Sequence, residues 1–352
     1  MKNDTGKITD EAFKNLVYPF CGASRPEVRI GPNFGTDISI IELPNGYEMA
    51  LTSDPLSYIP NLGTEESAWL SVHLMANDMA TTGVAPQYAQ FVLNLPSYVS
   101  EADFQAYWQY IHRFCRQIGV AITGGHTGRF EGMNSTIAGG GTMIAIAEKG
   151  KMLCSQYAQP GNDIIVTKQA ALIATSILAR CFPNTVKEKC GVSAFQEASD
   201  LFYQTSSLTE GLTASAFNDS EGLSVTAMHD VTEGGILGAI YEMAVASRCG
   251  TEVEISLLPI GTVAKSVCDL FGIDPAYSVG AGSMVMAVKP EKTPQLIQKL
   301  STEGISATRV GRFVSPENGI NKITSSGESR IIPPLKDPYW AAFFKALNQG
   351  LT

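Results

Sequence analysis

Four aspartates stand where a solvated carboxylate has no reason to be. Asp37 opens an apolar stretch after Gly31-Pro32-Asn33-Phe34-Gly35-Thr36, and Asp54 follows Leu51-Thr52-Ser53. Asp78 lies inside Met75-Ala76-Asn77-Asp78-Met79-Ala80, and Asp230 closes the apolar run from Val225 to His229. Charge beside apolar surroundings is costly unless it is paired or bound to a cation. Carboxylates converging from separate elements suit Mg²⁺, a hard ion that takes oxygen ligands and shares them with phosphates. Plainer readings exist: Asp37 as a turn residue, Asp54 before Pro55 as an Asx-turn ending a strand, Asp230 as the cap of the next helix. Asn77-Asp78 resists such a reading, because both are mediocre helix formers set in the middle of a helix.

Two glycine clusters accompany them. Gly124-Gly125-His126-Thr127-Gly128 stands at the end of a strand, either as a tight turn or as a phosphate-contacting loop that offers free N–H groups and the Thr127 hydroxyl. Gly234-Gly235, just after Asp230, permits close backbone approach and opens a helix whose N-terminus suits an anion. With Asn77, these form the candidate nucleotide-binding set. His126 is the functional histidine of choice. His73 and His112 fall on predicted helices and read as structural, and His229 ranks below His126 as a residue that could orient Asp230 or a ligand. Met228, Met243, Met284 and Met286 read as core filling. The phosphate loop G-x-x-x-x-G-K-[ST], the zinc motif H-E-x-x-H and the nucleophile elbow G-x-S-x-G are absent, and no catalytic nucleophile is identified.

The elements that must position these residues are legible from periodicity. Strands are predicted at Glu27 to Ile30, Ile38 to Glu42 and Tyr47 to Thr52, the last two joined through Pro44-Asn45-Gly46, whose Asn-Gly pair is a hairpin signal. A helix follows from Glu65 to Thr82, with Trp69, Val72, Ala76 and Met79 in helical register and Gly83 as its C-cap. Then come a strand from Tyr88 to Leu95, an amphipathic helix from Glu101 to Ile118, and strands from Val120 to Thr123 and Ser135 to Ala147. Pro160-Gly161-Asn162-Asp163 breaks the pattern, placing a domain boundary between Lys151 and Gly161. Beyond the strand Ile164 to Thr167, helices are predicted at Gln169 to Ala179, Val192 to Tyr203, Gly235 to Ser247 and Thr293 to Leu300. Strands are predicted at Val225 to His229, Glu252 to Leu257 and Ser283 to Val288. Ser315 to Asp337 reads as a loop or hairpin, and Trp340, Phe343, Phe344 and Leu347 as a docked helix. The class is α+β, with two mixed domains spanning 1–155 and 156–352.

Composition narrows the partners. A chain of 352 residues with 44% hydrophobic content builds packed domains of ordinary size. Its net charge of −9 argues against nucleic acid, which needs clustered Lys and Arg, while leaving room for nucleotides whose phosphates a metal neutralises. The seven cysteines are widely spaced with no C-x-x-C pair, and most read as buried, reduced packing residues. The polar start Met1 to Lys7 has no following apolar run of a secretory signal, and no stretch approaches the roughly 20 apolar residues of a spanning helix. A cytoplasmic protein without membrane contact is expected.

Taken in order, several segments resemble the aminoimidazole-ribonucleotide-synthetase-like superfamily. They are Gly35-Thr36-Asp37, Thr52-Ser53-Asp54, Asn77-Asp78 with Gly83-Val84-Ala85-Pro86, Thr123 to Thr127, Pro160 to Asp163, and His229-Asp230-Val231-Thr232-Glu233-Gly234-Gly235. That superfamily includes the hydrogenase-maturation protein HypE, thiamine-monophosphate kinase and selenophosphate synthetase, and the likeness is greatest to the HypE-like branch. The resemblance implies an N-terminal domain paired into a homodimer through a β-barrel-like interface and a C-terminal domain of mixed sheet with helices packed on it. It implies ATP held between domains and across the dimer, and Asp37, Asp54, Asp78 and Asp230 as metal-binding aspartates. Gly6-Lys7 resembles a segment that folds over the nucleotide. Relatives use ATP to phosphorylate or activate an oxygen or selenium nucleophile on a small substrate.

Departures mark what does not carry over. HypE ends in a cysteine that it modifies, whereas this chain ends Leu347-Asn348-Gln349-Gly350-Leu351-Thr352, so that self-reaction is not expected. Cys21-Gly22 lacks the glycine-rich setting of the reactive residue in selenophosphate synthetases. His126 replaces the acid that HypE and the thiamine enzyme carry, which leaves the number of metal ions open, and Ser278 to Gly282 lacks a glutamate common in HypE. Two functions follow: a Mg²⁺- and ATP-dependent enzyme acting on an unidentified small substrate, or a non-catalytic maturation or scaffold protein whose hold on a protein partner follows ATP occupancy.

Overall fold

The computed structural model describes residues 7–133, 136–218 and 222–352; Gly6 and Ser135 lie outside them. After a short helix α1 (Asp10–Leu16) come β1 (Val28–Ile30), β2 (Ser39–Leu43), β3 (Tyr47–Ser57), α2 (Thr64–Ala80), β4 (Tyr88–Pro96), α3 (Glu101–Gln117), β5 (Ala121–Phe130) and β6 (Ile137–Glu148). These strands form one open six-stranded sheet in the order β1-β2-β3-β6-β4-β5, antiparallel except for β4 beside β5. The hairpin between β2 and β3 turns where expected, with Asn45 and Gly46 both at positive φ. The two edge strands do not meet within one chain, so a barrel-like interface would be a property of two copies.

The second half contributes β7 (Asp163–Thr167), α4 (Leu172–Cys181), α5 (Pro183–Cys190), α6 (Val192–Asp200), α7 (Leu208–Ala216), β8 (Val225–Asp230), α8 (Gly235–Ser247) and β9 (Gly250–Glu254). It continues with α9 (Thr262–Phe271), β10 (Met284–Val288), α10 (Thr293–Thr302), β11 (Ala307–Val314), β12 (Ile320–Thr324), β13 (Gly327–Arg330) and α11 (Pro338–Asn348). The seven strands order as β13-β12-β9-β11-β7-β10-β8, antiparallel except β9 beside β12. The chain is thus two mixed α/β halves, each with its own sheet. Helices α5, α7 and α9 and strand β11 were not expected from the periodicity.

Helix α2 is the wall shared by both halves. Ala68, Val72, Met75, Ala76 and Met79 enter the core of the first sheet, while Leu70, with Trp69 and Leu74 beside it, packs among α4, α6 and α11. A helix apolar on nearly every side is one that is enclosed on nearly every side. Its fit against α7 is close: a Cβ added to Gly211 would lie 2.2 Å from the Ala80 carbonyl oxygen. Helix α2 ends sooner than expected, at Ala80 with Thr81 as its C-cap, and Gly83 takes φ 73° two residues beyond.

The segment Gly124 to Gly128 is a correction. Neither a turn nor a loop, it lies inside β5, in ladder with β4 over its whole length. The glycines permit this because the strands approach too closely for a side chain; a Cβ on Gly125 would sit 1.8 Å from the Phe91 oxygen. Helix α4 also starts later than predicted, since Lys168 and Ala171 both take left-handed φ, near 53° and 52°. All seven cysteines are free, five buried and Cys21 exposed. Among the described residues no helix is long and apolar enough to cross a membrane.

Candidate functional site

Asp37, Asp54, Asp78 and Asp230 come from four elements and meet where the two halves join. The loop before β2 is pressed so tightly onto α8 that a Cβ on Gly35 would lie 2.3 Å from the Glu242 carbonyl oxygen, and this contact carries Asp37 to the second half. Asp54 lies within β3 on the same face as Thr52 and does not end the strand. The Thr52 hydroxyl donates to Asp78 in the last turn of α2, at 2.6 Å. Strand β8, buried at every position, delivers His229 and Asp230 from the edge of the second sheet. Asp230 does not cap α8, whose N-cap is Gly234.

The electrostatics show how crowded this place is. Burial, then the charges of Asp230, Asp54 and Asp37, push Asp78 well above the ordinary carboxylate range. Burial, then Asp37, raises Asp230 to about 8. Burial raises Asp54 to about 6, against the partial relief of Lys7. Two like charges 4 Å apart at an effective dielectric near 20 repel by about 4 kcal/mol, so without a cation the site cannot keep every carboxylate ionised.

Two cations of the chain partly answer this charge. His229 lies 2.8 Å from Asp37 by Nδ1 and 3.3 Å from Glu242 by Nε2. Burial alone would lower its pKa, but Asp37 and Glu242 outweigh burial and raise it to about 10. Lys7 Nζ reaches Glu242 at 3.0 Å, and its backbone N–H donates to Glu233 at 2.8 Å. Burial would raise Glu242, yet its contact with His229 and the charge of Lys7 hold it near 2. Asp37, His229 and Asp230 offer ligand atoms within 4.8 Å of one another, and Asp230 Oδ1 has no hydrogen-bond partner. Buried, oxygen-rich and short of positive charge, the donor set fits a hard divalent cation.

The remaining candidates stand elsewhere. Asn77 is fully buried with its amide engaged: Nδ2 donates to the Thr205 oxygen at 2.9 Å and Oδ1 accepts from the Ser207 N–H at 2.7 Å. Gly234 N–H donates to Asp337 at 2.7 Å and Gly235 N–H to the Thr232 oxygen at 3.2 Å. Gly124, Gly125, His126 and Thr127 lie on the exposed outer strand, in the cross-strand row Asp54, Gly141, Phe91, Gly125. Three strand spacings make that roughly 14 Å. Within one chain they do not join the aspartates.

Sequence reasoning set His229 too low and missed Glu233, Glu242 and Asp337. Glu242 carried the signal used for Asp78: it is a lone carboxylate in the apolar helix Gly235–Ser247, and it is buried. His73 is structural as read, stacked on Trp69 and 3.0 Å from Ser206.

Comparison with known proteins gives this geometry a lineage. Residues 35–147 match the model of the AIR synthase related protein N-terminal domain, and residues 159–321 match that of its C-terminal domain. The chain belongs to the AIR synthase-related family. A family relative, carbamoyl dehydratase HypE of Rhizobium leguminosarum bv. viciae, is 26% identical over 317 residues, 85% of this chain and 83% of that one. The selenide, water dikinase of Methanococcus maripaludis is 26% identical over 336 residues, 92% and 96% of the two chains. The crystal structure of hydrogenase maturation protein HypE in complex with ATP superposes with a TM-score of 0.64 at 17% identity, covering 94% of each chain. The family's two domains bracket the aspartate cluster, which draws Asp37, Asp54 and Asp78 from the first and Asp230 from the second.

Proposed function

We propose that this AIR synthase-related protein is an ATP- and Mg²⁺-dependent enzyme that transfers phosphate to, or activates, an oxygen of a small substrate. The observation that carries the reading is the convergence of four aspartates, Asp230 buried and Asp37, Asp54 and Asp78 partly buried, with more negative charge than Lys7 and His229 neutralise. Its HypE relative and the selenide, water dikinase, along with a superposable HypE complexed with ATP, support ATP as the phosphate source.

Asp37, Asp54, Asp78 and Asp230 would hold the metal, which when bound supplies positive charge to the polyphosphate and orients it. His229 and Glu242 lock Asp37 in place, and Thr52 locks Asp78. Lys7, paired with Glu242 and within the field of Asp37, Asp54 and Asp230, can turn its ammonium from Glu242 to a phosphate oxygen. In the transfer, an acceptor oxygen bonds to the γ-phosphorus as the bond to the β–γ bridging oxygen breaks. ADP leaves with that electron pair, and the acceptor's proton passes to a carboxylate of the cluster. Positioning and charge neutralisation supply most of the acceleration in such chemistry, so no protein nucleophile is needed.

The Gly124 to Thr127 strand belongs to this reading through a second copy. Roughly 14 Å from Asp54 within one chain, it would complete the nucleotide site of a partner in a homodimer. The face of the first sheet turned away from α2 and α3 supports that arrangement, since Tyr47, Tyr88 and Val92 stand exposed on it.

Calorimetry of ATP binding with and without Mg²⁺, on wild type and Asp78→Asn, tests the proposal. Metal-dependent binding that the variant loses is the expected result. Absence of nucleotide binding under any condition would overturn it.

A further inference from the structure

Helix α8 turns Gly234, Gly238, Tyr241 and Glu242 to one side, at helical spacing, and they floor a cleft of about 430 Å³. That volume falls in the range of roughly 300–1,000 Å³ typical of small-molecule sites. The cleft is open because its first two turns carry glycine; a Cβ on Gly238 would come no nearer than 3.4 Å to the Glu233 oxygen. One wall is the run from Ile331 to Asp337, the other the run from Lys7 to Glu11.

Both walls are held before any ligand arrives. Ile331 is buried in the core, Pro333 and Pro334 fix φ, and Asp337 accepts from the N–H groups of Gly234 at 2.7 Å and Tyr339 at 2.9 Å. Glu233 ties the two sides together, accepting from Lys7 N–H on one and from Trp340 Nε1, at 2.8 Å, on the other. At its inner end the cleft opens on the aspartate site through Glu242, which it shares with His229 and Lys7.

We propose that this cleft seats the acceptor and selects an organic cation, an amine with an aromatic or other apolar body; the acceptor role rests on the phosphotransferase reading above. Phe34, Tyr241, Pro333 and Pro334 offer apolar faces for the body, and an aromatic wall attracts an ammonium. An anion has nowhere to go. The α8 N-terminus, the natural anion seat of the cleft, is filled by the Asp337 carboxylate. Lys7 pairs with Glu242 and, in the phosphotransferase reading, turns to the nucleotide and not to the acceptor; Lys336 is engaged as well, and Asp10, paired with Lys14, lines the remaining polar rim with Glu11 and Glu233.

Tyramine and 4-hydroxyphenylacetate share ring and hydroxyl and differ in the sign of their charge, so calorimetry with each, on the full chain with Mg²⁺ and a non-hydrolysable ATP analogue, decides the matter. Tyramine is expected to bind at least tenfold more tightly than the acid. Gly238→Leu, which fills the floor with a better helix former, should weaken tyramine tenfold or more and leave the analogue's affinity within twofold. Glu11→Lys, on an exposed rim position, should shrink the preference between the probes and serves if Gly238→Leu does not fold. Equal or tighter binding of the acid, no binding of either probe, or tyramine affinity unmoved by both variants would overturn the proposal. If the analogue fails to bind wild type while tyramine keeps its preference, the ATP reading falls and the amine site stands.

Discussion

At Asp78 the charge argument leads to two measurements of opposite sign. The residue is surrounded by Asp37, Asp54 and Asp230, with Thr52 as its donor. Asp78→Asn keeps a partner for Thr52 and removes a carboxyl that burial and three like neighbours force to hold its proton at a cost in stability. Without metal the variant should therefore melt several degrees higher than wild type, while its ATP turnover falls by about 100-fold or more, the scale of losing one electrostatic group of an active site. Unchanged turnover would sink the assignment. The same residues set a pH dependence. Asp54 and Asp230 titrate near 6 and 8 against an ordinary value of about 4, so across that window the native state binds more protons than the unfolded chain and stability falls as pH rises. His229 extends the fall, its contribution being full below about 6.5 and lost towards 10. Glu242, held near 2, acts only below the ordinary carboxylate range. The melting temperature of metal-free protein should thus drop from pH 6 to 9, and saturating Mg²⁺ should flatten the slope, because the metal binds the ionised form. A rise over this window without metal would contradict the crowded-carboxylate picture. The four aspartates were legible because each broke an apolar pattern. His229 was not, since its importance comes from Asp37 and Glu242, which are distant in the chain.

Elements were legible where a local signal decides their ends, as with Asn45-Gly46 in the first hairpin. They were lost where tertiary pairing decides. Strand β5 runs on through three glycines because β4 lies alongside, and nothing in Gly124 to Gly128 states that. The short helix α5, bounded by Pro183 and Gly191, buries Val186 alone among its eight residues and so displays little periodicity. Asn77 shows the same limit. In sequence it pairs with Asp78 as a ligand group, but in the fold it fastens α2 to the stretch from Thr205 to Ser207. Asn77→Ala would strip two buried hydrogen bonds and leave a carbonyl and an N–H without partners. A cost of about 2–4 kcal/mol is expected, at the usual 1–3 kcal/mol for each abandoned buried group with partial relaxation. Denaturant unfolding measures it. A variant of native stability that has lost nucleotide affinity would return Asn77 to the ligand set.

The whole molecule leaves one large surface to account for. Along β3, β4 and β6, alternate residues fill the core beneath α2 and α3, while Met49, Leu51, Ile144 and Ile146 lie on the opposite face beside Tyr88 and Val92. In the cross-strand rows Leu51 meets Ile144 and Tyr88, so the apolar positions are contiguous across three strands. Contiguous apolar surface on a sheet is a common mark of a protein interface, and a second copy of the same face is the simplest closed solution. Pairing would also bring the Gly124 to Thr127 strand, roughly 14 Å from Asp54 within one chain, to face the aspartates of its partner, as the proposed nucleotide site requires. Val92 lies directly opposite His126 in the ladder and is 41% exposed, so Val92→Glu adds charge to the face without disturbing the core. Light scattering should find wild type as a dimer and the variant as a monomer of unchanged melting cooperativity. ATP turnover should fall with the dimer, recovering in neither dilute nor concentrated variant. A monomeric wild type with full activity would separate the two claims, leaving the aspartate site complete within one chain and the β5 glycines to strand packing alone.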